Sequence, residues 1–283
     1  MIEIKMKGSG AIICKVNSDT LEGCDLREAN LAGADLGGMN IMNSQLDYAD
    51  LSGAVLAGAC LSGSSLVGAD LSGAKLTGIN LRGVRLTDGT SRGAAVLADC
   101  DLHEAQLHDS DLRHVHLDRA NLSHANLSHA DLRNACLRMA KLTHANLERV
   151  LLIDAYMNKA DLSYARLCGA HLNQAQLVHA SLDHAILGGT DCHGAILDLA
   201  NLHEASLVGA SLIGVAMTDA SLRSANLSNA DLTDAMLSGA SLRGANVEGA
   251  DFTRVQLASV TMDFANFSLA RNADIPSYKT NLH

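Results

Sequence analysis

The chain has 283 residues, 48% of them hydrophobic but only 2% aromatic, with no Trp and a single Pro. Its formal charge of −10 argues against general nucleic-acid binding through phosphate neutralisation. No apolar run approaches a membrane span, and the start, MIEIKMKGSG, lacks the apolar stretch of a signal peptide. The seven cysteines are odd in number and show no close metal-type spacing, so reduced thiols in the cytoplasm are expected, with no metal and no cofactor.

Residues 1–20 are expected to form a hairpin cap. Ile2 to Met6 alternates apolar and polar, Gly8-Ser9-Gly10 signals a turn, and Ala11 to Val16 is a second strand-like run. The hairpin would cover the first coil, whose open edge would otherwise invite pairing.

From residue 21 to 270 one five-residue pattern repeats. It is clearest in ANLSHANLSHADLRNAC, from Ala120 to Cys136. Every fifth residue from Leu21 to Leu86, and again from Leu97 to Phe267, is Leu or an apolar substitute such as Met157, Cys192 or Phe252. Two places before it stands Ala in most units. A helix would need a period of about 3.6 and a strand about 2, so this pattern keeps to one face of neither. It fits if each unit turns the chain by about a quarter circle, so that repeats bury a common core only when stacked. The centre then points inward, Ala fills the corner, and every twentieth residue lies above its predecessor. About 49 units would make about 12 four-sided coils, about 58 Å long at a coil spacing of about 4.8 Å. Cys24, Cys100 and Cys192 fall at inward positions, and Leu127 should be buried between Leu107 and Leu147.

The register slips between Leu86 and Leu97, whose separation is two units plus one residue. Residues 87–96, TDGTSRGAAV, are expected either to form a one-residue bulge or to project as a contact loop carrying Asp88 and Arg92. The next centre after Phe267 would be Asn272, so the coils should end near residues 268–272. Residues 271–283 are left as a polar C-terminal tail.

Residues one coil apart assemble outward faces. One face carries Asp111, Asp131, Asp191, Asp231, Asp234 and Asp251, with Asp154, and is interrupted by Leu151, His171 and Ser211. These carboxylates are the candidate partner-binding residues. They can imitate duplex phosphates, or they can bond local turn amides. Thirteen histidines are also present, and His124, His144, Tyr164 and His184 should be vertical neighbours, as solvated rings or as a shared metal site. No phosphate loop, nucleophile elbow or Cys-His pair is visible, and a filled coil offers no concave pocket, so no enzyme is expected.

The tandem A(D/N)LXX units from Leu21 to Phe267 resemble the pentapeptide-repeat family. The resemblance implies an all-β fold, a right-handed quadrilateral parallel β-helix. The quinolone-resistance (Qnr) branch of that family resembles B-DNA and protects type II topoisomerases such as DNA gyrase. By that resemblance this chain would be a non-enzymatic protein-binding solenoid and a DNA mimic toward a topoisomerase, without binding nucleic acid or membrane directly. The alternative is a structural scaffold with an unrelated protein partner. The chain differs from that branch in its greater length, its short loop and a tail without the dimer helix, which leaves monomer and homodimer both open.

Overall fold

The computed structural model describes residues 1–277. Each five-residue unit is a turn followed by one bridging residue. In the unit centred on Leu26, the amide of Ala29 donates to the carbonyl of Leu26 at 3.2 Å and closes the turn. The residue two after the centre takes a positive φ, 58° at Glu28 and 65° at Gly33. A turn with φ > 0 at its third residue is the type II geometry that Gly and Asn tolerate best. This explains why Gly, and the His, Asn and Asp residues that also tolerate the left-handed region, recur at that position.

The residue before most centres pairs in parallel with its counterpart one coil on, as in Asp25 with Gln45 and Asn30 with Asp50. Centre amides also donate upward: Leu26 N–H to the Gln45 carbonyl at 2.8 Å. Backbone groups are thereby satisfied between coils. Centres and corner Ala residues are buried almost throughout, with Leu127 at 0% exposure. Where a corner holds Ser instead, the hydroxyl donates to a carbonyl, as Ser44 does to Leu21 at 2.6 Å, so the buried polar group is paired. The fold is the right-handed quadrilateral β-helix, with four five-residue units to a coil.

The chain divides into two compact units, the first from Met1 to Asn146 and the second beginning at Leu147. The first starts with a hairpin, β1 (Ile2–Met6) antiparallel to β2 (Ile12–Val16). β1 also pairs antiparallel with β3 (Ala34–Asp35), where Lys5 faces Asp35. Asp35 bonds Val55 on its other edge, so the hairpin closes one side of the first coil. Ile4 is fully buried in the join, and Lys7 Nζ meets Asp35 at 2.8 Å. Cys24, expected inward, is only half-buried. It sits in the first coil, with no earlier coil beneath it. Cys100 and Cys192 are buried as expected.

Of the two expectations for residues 87–96, the structure shows the loop and not the one-residue bulge. Ser65 pairs with Arg85 at the usual spacing, but Asp70 pairs with Val96 and Lys75 with Asp101, each six places beyond it. One corner therefore carries six extra residues. Ala95 N–H donates to the Leu86 carbonyl at 2.8 Å, the bond that the third residue after a centre makes elsewhere. The extra residues loop out and Leu97 is again fully buried.

In the second unit, bridges run from Leu151 with His171 to Asp251 with Arg271, so the coils end within the expected range. Phe252 is buried, its ring 5.6 Å from that of the half-buried Phe267. Phe264 is 63% exposed, with the Arg243 guanidinium 5.7 Å from its centroid. Residues 278–283 of the expected tail lie outside the described residues.

Candidate functional site

The candidate carboxylates are outward, at the position before the centre or two after it. In the first unit Arg113 grips Asp111 through two bonds of 2.8 Å, and Arg133 grips Asp131 at 2.9 and 2.7 Å. Arg113 Nε also stands 3.7 Å from Asp131, so the four side chains form one alternating chain of charge. Burial alone would raise Asp111, but the Arg113 hydrogen bonds outweigh it and hold the carboxyl below its ordinary range. The same oxygens accept the amides of Arg113 at 3.3 Å and Arg133 at 3.2 Å, which fixes the turns.

In the second unit Arg254 pairs with Asp234, and Arg271 stands 3.6 Å from Asp251. Asp251 is also held by Thr253, whose hydroxyl donates at 2.6 Å, and by Asn272 at 3.0 Å; these bonds lower its pKa. Asp191 and Asp231 accept the amides of His193 and Thr233 at 3.2 and 2.9 Å. All six carboxylates are thus partly engaged, four by arginine. The expectation of phosphate-like charges changes accordingly, because charge counting along a face misses bidentate pairing by arginines two places along or one coil away.

The loop holds itself. Asp88 Oδ1 accepts from the Thr90 amide at 2.8 Å and its hydroxyl at 2.7 Å, which lowers the Asp88 pKa. The Gly93 amide donates to Thr90 Oγ1 at 3.1 Å. A methyl on Gly93 would overlap the Asp88 carboxylate, so a larger residue there would have to displace that side chain. Asp88 and Arg92 are exposed. A methyl at Gly89 would lie 3.4 Å from Arg113 Nη1, which places the loop beside the Asp111–Arg113 pair.

The histidine rings do stack. His124 and His144 lie 4.9 Å apart at 10°, and His103 meets His124 edge-on at 5.3 Å. In the second unit Tyr164 stacks on His184 at 4.7 Å. His184 is more than a solvated ring: Nδ1 lies 2.8 Å from Asp183 and Nε2 lies 2.9 Å from Glu204. The Asp183 hydrogen bond first, then both nearby charges, raise its pKa.

Two features went unseen in the sequence. The first is a concave site, which a filled coil was not expected to offer. In the second unit a cleft of about 370 Å3 is lined by Asp234, Met236, Arg254, Gln256 and Ser259. It lies where the ladder parts: Met236 pairs with Ala216, but among the described residues no bridge joins it to Gln256. The Gly239 amide turns instead to Ser259 Oγ at 3.2 Å. The second is a donor set in the first unit. His116, Asp118 and Cys136, all half-buried, bring a nitrogen, an oxygen and a sulfur within 4.8 Å of one another. Cys136 pairs with His116 across coils, so the signal was the coil-to-coil column rather than the local spacing of cysteines. Among the described residues, no helix is long and apolar enough to cross a membrane.

The pentapeptide-repeat family model matches in eight copies between residues 21 and 271. No curated protein sequence matches. Among solved structures, the chain is similar to HetL, a pentapeptide repeat protein involved in heterocyst differentiation regulation from the cyanobacterium Nostoc sp. strain PCC 7120. The identity is 29% over 83% of this chain and 90% of that one, with a TM-score of 0.35. It is similar to QnrB1, a plasmid-mediated fluoroquinolone resistance protein, at 16% identity over 77% of this chain and 87% of that one, with a TM-score of 0.31. A pentapeptide repeat protein of the Arabidopsis thaliana thylakoid lumen matches at 26% identity over 43% and 75%, with a TM-score of 0.14. With its repeat matched over nearly the whole length, the chain belongs to the pentapeptide-repeat family.

Proposed function

We propose that the chain is a non-enzymatic protein-binding solenoid, acting as a scaffold whose coil faces present stacked side chains to a protein partner. The observation that carries this reading is the engagement of its outward carboxylates, with Asp111, Asp131, Asp234 and Asp251 each set against an arginine. A duplex DNA mimic needs uncompensated charge at phosphate-like spacing. Alternating carboxylate and guanidinium is a surface for a mixed partner instead. Exposed Ile196 and Met236 share a column with Ala216 in the second unit and add apolar contact area. Seven unpaired thiols suit a reducing cytoplasm.

DNA mimicry toward a type II topoisomerase is the second reading, favoured by the net charge of −10. Gyrase supercoiling with added protein, with and without a fluoroquinolone, separates the two. The comparison is with a variant in which Asp111, Asp131, Asp231 and Asp251 are changed to Lys. The scaffold reading expects no effect at micromolar protein from either form. Protection or inhibition by the native protein that the variant loses would overturn it.

A further inference from the structure

We propose that His116, Asp118 and Cys136 form a zinc site that clamps two successive coils of the first unit together. The three side chains offer one imidazole nitrogen, one carboxylate oxygen and one thiol sulfur within 4.8 Å of one another. This mixed donor set suits zinc, which accepts all three ligand types. Zinc bonds of about 2.0–2.3 Å hold neighbouring donors about 3.5 Å apart, so small side-chain rotations close the set.

The backbone beneath is already fixed. His116 and Cys136 are bridge partners, and the Leu117 amide donates to the Cys136 carbonyl at 2.7 Å. The Cys136 amide donates to Val115 at 2.9 Å. Leu117 and Leu137, between and beside the ligands, are buried in the core. A site on such a framework is preorganised, because the donors need not be gathered from a flexible loop. Asp118 is positioned too: its Oδ1 accepts the Arg138 amide at 3.1 Å, which leaves Oδ2 to bind the metal. Arg138 Nη1 stands 3.8 Å from Asp118 and is the cation that zinc would have to displace from the carboxylate.

Binding forms a sulfur–zinc bond and releases the Cys136 thiol proton to solvent, while His116 binds through a neutral nitrogen. Three protein ligands leave a fourth position for water or for a donor from a bound partner. The histidine column at His103, His124 and His144 is not part of this site, since its rings contact one another through their faces and edges.

The test uses the reduced, chelator-treated full-length protein and cobalt(II) as a spectroscopic stand-in for zinc. One equivalent of cobalt should give a thiolate-to-cobalt charge-transfer band with tetrahedral d–d bands, and zinc should bleach both. His116→Ala and Cys136→Ser should lose the bands, whereas His124→Ala and Cys168→Ser should keep them. A second measurement does not depend on the variants folding. Zinc should slow alkylation of Cys136 in the native protein at least tenfold and leave Cys60 and Cys168 unchanged. Absence of the charge-transfer band, its survival in Cys136→Ser, or equal alkylation of Cys136 with and without zinc would overturn the site.

Discussion

Two stretches of the first unit obey different rules. From Leu97 to Asn146 every centre is buried and every bridge spans one four-unit coil, so both identity and spacing are held. At the corner from Leu86 to Leu97 six residues are added, yet the same turn bond closes, from Ala95 to Leu86, and the ladder resumes. The core constrains what a residue is, because each centre stacks on the coils before and after it. The corner constrains only where the chain re-enters, because Asp88 and Thr90 to Arg92 face solvent and the added length costs little closure entropy.

The sharpest way to break this contrast is to touch the regular stretch. Leu127→Ala removes a fully buried side chain and should cost about 2–5 kcal/mol in urea unfolding. Leu127→Asp should cost more and remove cooperativity across neighbouring coils. A Leu127→Ala cost below about 1 kcal/mol would refute the inward assignment.

The corner should respond less. Deleting Asp88–Gly93 joins Thr87 to Ala94 and restores a four-residue turn, with Ala94 at the positive-φ position. That deletion should cost about 1–2 kcal/mol, the strain of a left-handed Ala, and Ala94→Gly in the same background should recover most of it. If the double change remains as costly as Leu127→Ala, the loop is part of the core and the contrast fails.

The outward residues give the smallest effects, because their partners are exposed. His184 is paired with Asp183 and Glu204, and its folded pKa is raised. The stabilisation is therefore full below the unfolded value of about 6.5 and is lost as pH rises through the higher folded value. An NMR titration should place the His184 ring above the unfolded value, and Asp183→Asn should bring it down. A His184 titration at or below about 6.5 would remove the ion-paired account.

What the sequence made legible follows the same division. The five-residue period located the centres, the corner Ala residues and the end of the coils, because burial allows few substitutes. The hairpin was legible from alternation at Ile2–Met6 and the glycines after it. The insertion was legible only as a choice between bulge and loop, because Ala94 and Ala95 both fit the corner and the bond to Leu86 shows which one occupies it. The surface was the least legible. Arg113 and Asp111 read as two charges on a face, whereas their side chains cancel. His116 and Cys136 stand twenty residues apart and so share a column in the expected coil, but the local spacing of the cysteines gives no sign of a donor set. Outward chemistry is decided by side-chain reach, which the twenty-residue register does not display.

The proposal of a scaffold rather than a phosphate-like track rests on engaged carboxylates, and their titration tests it most directly. A row of uncompensated acids would disfavour its own ionisation and raise each pKa above the ordinary value of about 3.9. Carboxyl 13C titration of Asp111 and Asp251 should instead find both below it, as their hydrogen bonds dictate. Arg113→Gln should then move Asp111 upward. The stability tied to these groups is present above about pH 3.9 and lost as pH falls through their lower folded values. Values at or above the ordinary one, unmoved by Arg113→Gln, would contradict the account and return the acidic face to DNA mimicry.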